Sequence, residues 1–178
     1  MAHPGDNPYR VGLALGGGGV RGMAHILVLE LLDELQLRPA VIAGTSIGAI
    51  VASLYASGMP GRAIRDLVSQ HFRRSGEPLR DAIKRLAELL RWIGPPKARL
   101  GRGGGLVSER FLGHLLKAVR AERFEDLEIP LLVIAADFWA AKEVVFEKGQ
   151  LLPALRASMA VPGVFAPVSW DGRVLVDG

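Results

Sequence analysis

The chain has 178 residues, enough for one domain with its own core, and 49% of them are hydrophobic, which excludes a disordered tail. It has no cysteine, so disulfide staples, thiol catalysis and cysteine zinc sites are excluded together. The net charge of +4 is uneven, because residues 60–102 carry 11 basic side chains against 4 acidic ones.

The first ten residues, "MAHPGDNPYR", lack the basic start and apolar core of a secretory signal, so a cytoplasmic location is the expectation. Val11 to Leu15 then reads as a short buried strand running into glycines. The next segment has helical apolar spacing at Met23, Ile26, Leu27, Leu31 and Leu35. "AVIAG" reads as a second buried strand and "IGAIVASLYASG" as a second helix, stopped by Gly58 and Pro60. Ala40 to Met59 carries no charge and approaches the length of a membrane span. Its small and polar residues favour a buried strand, turn and helix instead. Two strand–loop–helix units in succession imply a mainly parallel central sheet with helices on its faces.

Residues 60–102 form a basic helical and loop segment. Pro78 to Ile93 is predicted as a helix, with Leu79, Ile83, Leu86, Leu90 and Ile93 on one face. Arg80, Lys84, Arg85 and Arg91 occupy its polar face, and Trp92 lies near its end, a make-up that suits an interfacial helix. Such a segment fits an anionic surface, or is simply a solvated face. Nucleic acid usually calls for more aromatic platforms than Phe72 and Trp92, so none is expected as a partner. Ser108 is expected to cap a further helix. "PLLVIAADF" reads as a strand buried on both faces and "KEVVFEKG" as another short strand. "LLPALRASMA" reads as a helix and "RVLVDG" as a last strand. The whole is expected to be a single domain over residues 1–178. Because the chain stops directly after a strand end, it is expected to be cut short at its C-terminal end.

Three groups of residues carry chemistry. Gly16 to Gly19, with Val20, Arg21 and Gly22, lie between the first strand and first helix, where exposed N–H groups form an anion site. Gly17, Gly19 and Gly22 satisfy a dinucleotide spacing. However, the second strand closes on Gly44-Thr45-Ser46 with no acid for the ribose, and no Lys-Ser/Thr pair follows for a Walker loop. The remaining use of such N–H groups is to hold a developing oxyanion. Gly44-Thr45-Ser46-Ile47-Gly48 stands between a predicted strand and a predicted helix, the setting of a nucleophile elbow. Gly44 and Gly48 avoid clashes across the turn, and Ser46 is the candidate nucleophile. The alternative is a simple helix cap.

The third group is Asp177. The histidines are His3, His25, His71 and His114, and none follows Asp137 or Asp177, so the hydrolase order Ser…Asp…His cannot be built with either. Asp66 or Asp81 with His114 would fit the order but lie in the basic helical segment. A carboxylate acting on Ser46 directly remains. Asp177 ends a strand, and burial in a dry site would raise its pKa into a useful range.

These residues resemble the patatin-like phospholipases, especially bacterial members. The likeness runs from Val11 to Gly178. It includes G-G-G-x-R-G at Gly17 to Gly22, G-x-S-x-G at Gly44 to Gly48, "LRASMAVPGVFAPV" at Leu155 to Val168, and D-G at Asp177-Gly178. The resemblance implies a three-layer α/β/α fold and a serine lipid acyl hydrolase of phospholipase A or lysophospholipase type. It also implies Ser46 as nucleophile, Asp177 as base, and Gly17, Gly18 and Gly19 as the oxyanion hole, supported by Arg21. The substrate would be a phospholipid or other lipid ester, with no metal and no cofactor needed. Peripheral contact with an anionic membrane, on its inner face, is the associated expectation. Two departures stand beside it. The family's D-G-G/A runs one residue further than this chain, and the sheet and helix that normally follow are missing. The rival readings are a Ser-His-Asp esterase whose histidine lies beyond residue 178 and a non-catalytic lipid- or nucleic-acid-binding module.

Overall fold

The computed structural model describes residues 10–74 and 115–178, apart from 116 and 164. The Pro78–Ile93 helix, the Ser108 cap, His3, His114 and most of the basic segment lie outside the described residues.

Strand β1 (Gly12–Leu15) leads through the glycines into a 3-10 turn (Gly19–Met23) and helix α1 (Ala24–Glu34). Strand β2 (Val41–Thr45) passes directly into α2 (Ile47–Ala56). All ten residues of α2 are buried, which accounts for its lack of charge. The uncharged run from Ala40 to Met59 is therefore strand, turn and core helix. Among the described residues no helix is long and apolar enough to cross a membrane.

Helix α1 faces differently from the pattern expected. Ile26 and Leu29 are buried, whereas Leu27, Leu31 and Leu35 are more than half exposed. The apolar residues of α1 make two stripes, and packing uses the one that also carries Asp33. The Asp33 carboxylate accepts the Tyr55 hydroxyl at 2.7 Å and the Gly61 N–H at 2.7 Å. Burial, and then the bond to Asp33, push the Tyr55 hydroxyl above its ordinary pKa.

Helix α3 (Gly61–Arg74) begins at the point read only as a stop. Pro60 ends the preceding helical pattern and also opens the next, with its carbonyl accepting from Ile64 N–H at 3.1 Å. A Cβ on Gly61 would lie 2.6 Å from Glu30 N, so the first residue of α3 must be glycine to approach α1 this closely.

Strand β3 (Leu131–Asp137) alternates buried and half-buried residues, so one of its faces is fully covered rather than both. It pairs with β4 (Lys142–Phe146), which leads to α4 (Leu151–Ser158), β5 (Val168–Trp170) and β6 (Arg173–Asp177). The α/β class is the one expected, but the sheet is mixed rather than mainly parallel. The pairs β1–β2 and β2–β3 are parallel, while β3–β4, β3–β6 and β5–β6 are antiparallel. Helices α2 and α4 pack against β3, and Ile50, Leu54, Val133, Leu155 and Leu175 join one core.

One feature of the register builds the site. Val133 and Ile134 pair with both β2 and β4, and Ala135 to Asp137 pair with both β6 and β4. A strand has only two edges, so β2 and β6 share the edge of β3 opposite β4. They run toward each other along it and meet end to end. The last residues of β2 and β6 are thereby neighbours, although 131 positions separate Ser46 from Asp177. Thr45 ties the junction, its hydroxyl lying 3.2 Å from the Ile134 carbonyl and 3.0 Å from that of Gly178.

Candidate active site

Ser46 sits between β2 and α2 with φ 55 and ψ −130. An L-residue in this region costs about 1–3 kcal/mol, which the surroundings must offset. The strain has a local cause: the chain must reverse from strand to helix within one residue, and the flanking glycines let it. A Cβ on Gly44 would lie 2.6 Å from the Ala49 Cα, and one on Gly48 would lie 2.1 Å from the Leu15 carbonyl oxygen. Both positions thus require glycine for close backbone approach, as the elbow motif implied.

The turn aims Ser46 at β6. Its hydroxyl donates to Asp177 Oδ2 at 2.7 Å. That contact is direct, with no gap for an imidazole. Asp177 is half-buried, and burial raises its pKa above the ordinary carboxylate value, while the Ser46 bond pulls the other way. Met159 Sδ forms another wall, 3.8 Å from Ser46 Oγ.

The glycine loop comes to the same place. A Cβ on Gly17 would stand 3.3 Å from Ser46 Cβ and 4.0 Å from its Oγ. Gly18 has φ 130 and Gly19 φ 55, values that side chains rarely adopt. His25 Nε2 lies 2.9 Å from the Gly16 carbonyl oxygen and holds the loop, a role that reading His25 only as a possible base missed. Arg21 is exposed in the 3-10 turn, and its backbone N–H donates to Gly18 O at 3.1 Å. The structure thus gathers Ser46, Asp177, Gly17, Gly44 and Gly48 tightly.

The remaining acids divide simply. Asp137 is buried, and its Oδ1 accepts from the Trp139 and Ala140 N–H groups at 3.1 and 3.0 Å, so it shapes the β3–β4 turn. Asp66 is exposed on α3. Two residues that the motifs did not mark also touch the pair. Ser158 Oγ accepts the Ser46 N–H at 2.9 Å, and the Ala160 carbonyl accepts the Asp177 N–H at 3.1 Å. Both belong to "LRASMAVPGVFAPV", whose resemblance to the family flagged the segment without assigning roles inside it.

The profile of the patatin-like phospholipase family matches residues 13–178. An uncharacterized NTE family protein of Mycobacterium tuberculosis is 37% identical over 174 residues, covering 98% of this chain and 44% of that protein. Lysophospholipase NTE1 of Kluyveromyces lactis is 30% identical over 168 residues, covering 94% of this chain and 11% of that protein. In fold, the chain is similar to the crystal structure of VipD from Legionella pneumophila, with a TM-score of 0.57, 16% identity, and coverage of 95% of this chain and 46% of that one. The chain therefore spans less than half the length of these relatives. With the family profile matching from β1 through Asp177, over the strands and turns that build the Ser46 site, this chain belongs to the patatin-like phospholipase family.

Proposed function

We propose that this chain carries the catalytic centre of a serine lipid acyl hydrolase working through a Ser46–Asp177 dyad. The observation that carries the reading is the 2.7 Å bond from a strained, elbow-borne serine to a half-buried carboxylate. Asp177 Oδ2 takes the hydroxyl proton as Ser46 Oγ attacks the ester carbonyl. The Ser46 N–H is already bonded to Ser158, so negative charge on the carbonyl oxygen falls to N–H groups of Gly17, Gly18 and Gly19. Arg21 supports that loop through its bond to Gly18. The tetrahedral intermediate collapses as protonated Asp177 gives its proton to the leaving alkoxide, forming the acyl-enzyme and the free alcohol. Water, deprotonated by Asp177, attacks the acyl group. The second intermediate expels Ser46 Oγ, which regains its proton, and the fatty acid leaves.

The substrate class follows from family membership and from the name of the fungal relative, a lysophospholipase. A lipid ester is presented at a bilayer surface, and peripheral contact belongs to this reading. Beyond the junction of β2 and β6, the β3–β4 turn carries Phe138 and Trp139, which are 50% and 79% exposed. Aromatic side chains of this kind suit the bilayer interface. The test is lysophospholipid hydrolysis by the full-length protein. Ser46→Ala should remove fatty-acid release and Asp177→Asn should lower it by about 10²–10⁴-fold, while the circular dichroism spectrum is unchanged in both. Retained hydrolysis in Ser46→Ala would overturn the reading.

A further inference from the structure

Ser158 is buried completely at the end of α4, yet its hydroxyl does not serve its own helix. It accepts the Ser46 N–H at 2.9 Å and donates to the Ile134 carbonyl of β3 at 2.5 Å. Its neighbours reach the same pair: Met159 Sδ touches Ser46 Oγ, and the Ala160 carbonyl takes the Asp177 N–H. Three consecutive residues of one segment thus contact both members of the pair.

We propose that Ser158 is a positioning residue, which holds Ser46 in its left-handed conformation and so sets the register between Ser46 Oγ and Asp177. The proposal rests on the Ser46–Asp177 reading for its catalytic consequence only. Two observations make the role specific. First, Ser46 with φ 55 needs an external restraint, because its flanking glycines supply freedom and not rigidity. Second, the Thr45 hydroxyl lies 3.2 Å from the Ile134 carbonyl and can turn its proton there from Gly178, so the group that loss of the Ser158 hydroxyl leaves without a partner is the Ser46 N–H. The hydrogen bond from Ser158 to β3 orients its lone pair toward Ser46. The nucleophile is thereby fixed to the strand that also holds β6, and hence Asp177.

The experiment compares Ser158→Ala and Ser158→Cys with Ser53→Ala in the full-length protein. Ser53 is equally buried, but among the described residues its hydroxyl bonds Ile50 O of its own helix alone, at 2.8 Å. Cysteine keeps the site filled while offering a weak acceptor, so it answers the case in which alanine fails to fold. Both Ser158 variants should slow kcat for a soluble ester, and fluorophosphonate labelling of Ser46, by about 10- to 100-fold with KM unchanged. The acid limb of the pH profile should move to higher pH, since a loosened Ser46 no longer lowers the Asp177 pKa. Ser53→Ala should move neither kcat nor the limb. Amide exchange at Ser46, which needs no catalysis, should quicken in the Ser158 variants alone. Unchanged exchange and labelling in both Ser158 variants would overturn the proposal. A wild-type protein that neither turns over ester nor takes the label would instead overturn the hydrolase reading, and the exchange result would still decide the role of Ser158.

Discussion

Adding one methyl group at Gly17, and one at Gly16, separates the work of the glycine loop from its mere flexibility. Neither glycine has a left-handed φ, so alanine can occupy both without backbone strain. At Gly16 the new Cβ meets nothing within 4 Å. At Gly17 it stands 3.3 Å from Ser46 Cβ and 4.0 Å from Ser46 Oγ. The first distance asks for a shift of a few tenths of an ångström, which the fold can absorb at a cost of about 1 kcal/mol or less. The second is decisive for chemistry. A reacting carbonyl carbon must come within about 3–3.5 Å of Oγ, and a methyl group beside that oxygen competes for the space. The substrate oxygen is then held away from the loop N–H groups, and losing one such donor is worth roughly 10²–10³-fold, or about 2.7–4 kcal/mol. Gly17→Ala should therefore lower kcat/KM for a short-chain p-nitrophenyl ester by about that factor, with thermal melting close to that of the wild type. Gly16→Ala should leave both unchanged. Equal activity in the two variants would refute the placement of the oxyanion beside Gly17.

Asp177→Asn should lower turnover by about 10²–10⁴-fold, measured with the same ester. It should also raise the melting temperature at neutral pH. A folded pKa above the unfolded one gives stability that is complete below the unfolded pKa and is lost as pH rises through the folded one, so removing the charge helps most above that window. The gain should vanish on acidification below the ordinary carboxylate range. For wild type, kcat/KM should rise through that same elevated pKa, since the base must be ionised. Gly48→Ala drives a Cβ to 2.1 Å from the Leu15 carbonyl oxygen and 2.6 Å from that of Gly16, so chemical denaturation should show a loss of about 1–3 kcal/mol together with lost activity. Trp139→Ala should weaken co-sedimentation with phospholipid vesicles while a soluble ester is still cleaved; unchanged sedimentation would count against the turn as a membrane contact.

The parts legible in the sequence were those in which a local pattern has a single structural solution. The uncharged run into Gly44-Thr45-Ser46-Ile47-Gly48 points to strand, turn and helix together, because its small and polar residues break a membrane span and sit where an elbow needs them. The glycine loop before α1 is similar. What stayed hidden depended on long-range pairing. That β2 and β6 meet end to end on one edge of β3 follows from register, and no local motif encodes register. Helix α3 falls within the segment read as basic helix and loop, but its bounds are not marked, because Pro60 reads equally as a stop and a start. The β5–β6 hairpin carried its own signal in Asp171-Gly172, both at positive φ between Trp170 and Arg173, which the strand patterns of neighbouring residues obscured. Leu27, Leu31 and Leu35 formed a helical stripe as regular as the buried one, and only tertiary packing chose between them.

The most direct measurement is mass spectrometry of the protein trapped in turnover. Full-length enzyme is mixed with a slow acyl ester, quenched in acid and digested. The account predicts an added acyl mass on the peptide containing Ser46, lost in Ser46→Ala and forming slowly in Asp177→Asn. Acylation of a different residue, or full ester turnover by Ser46→Ala with no acyl-enzyme formed, would contradict it.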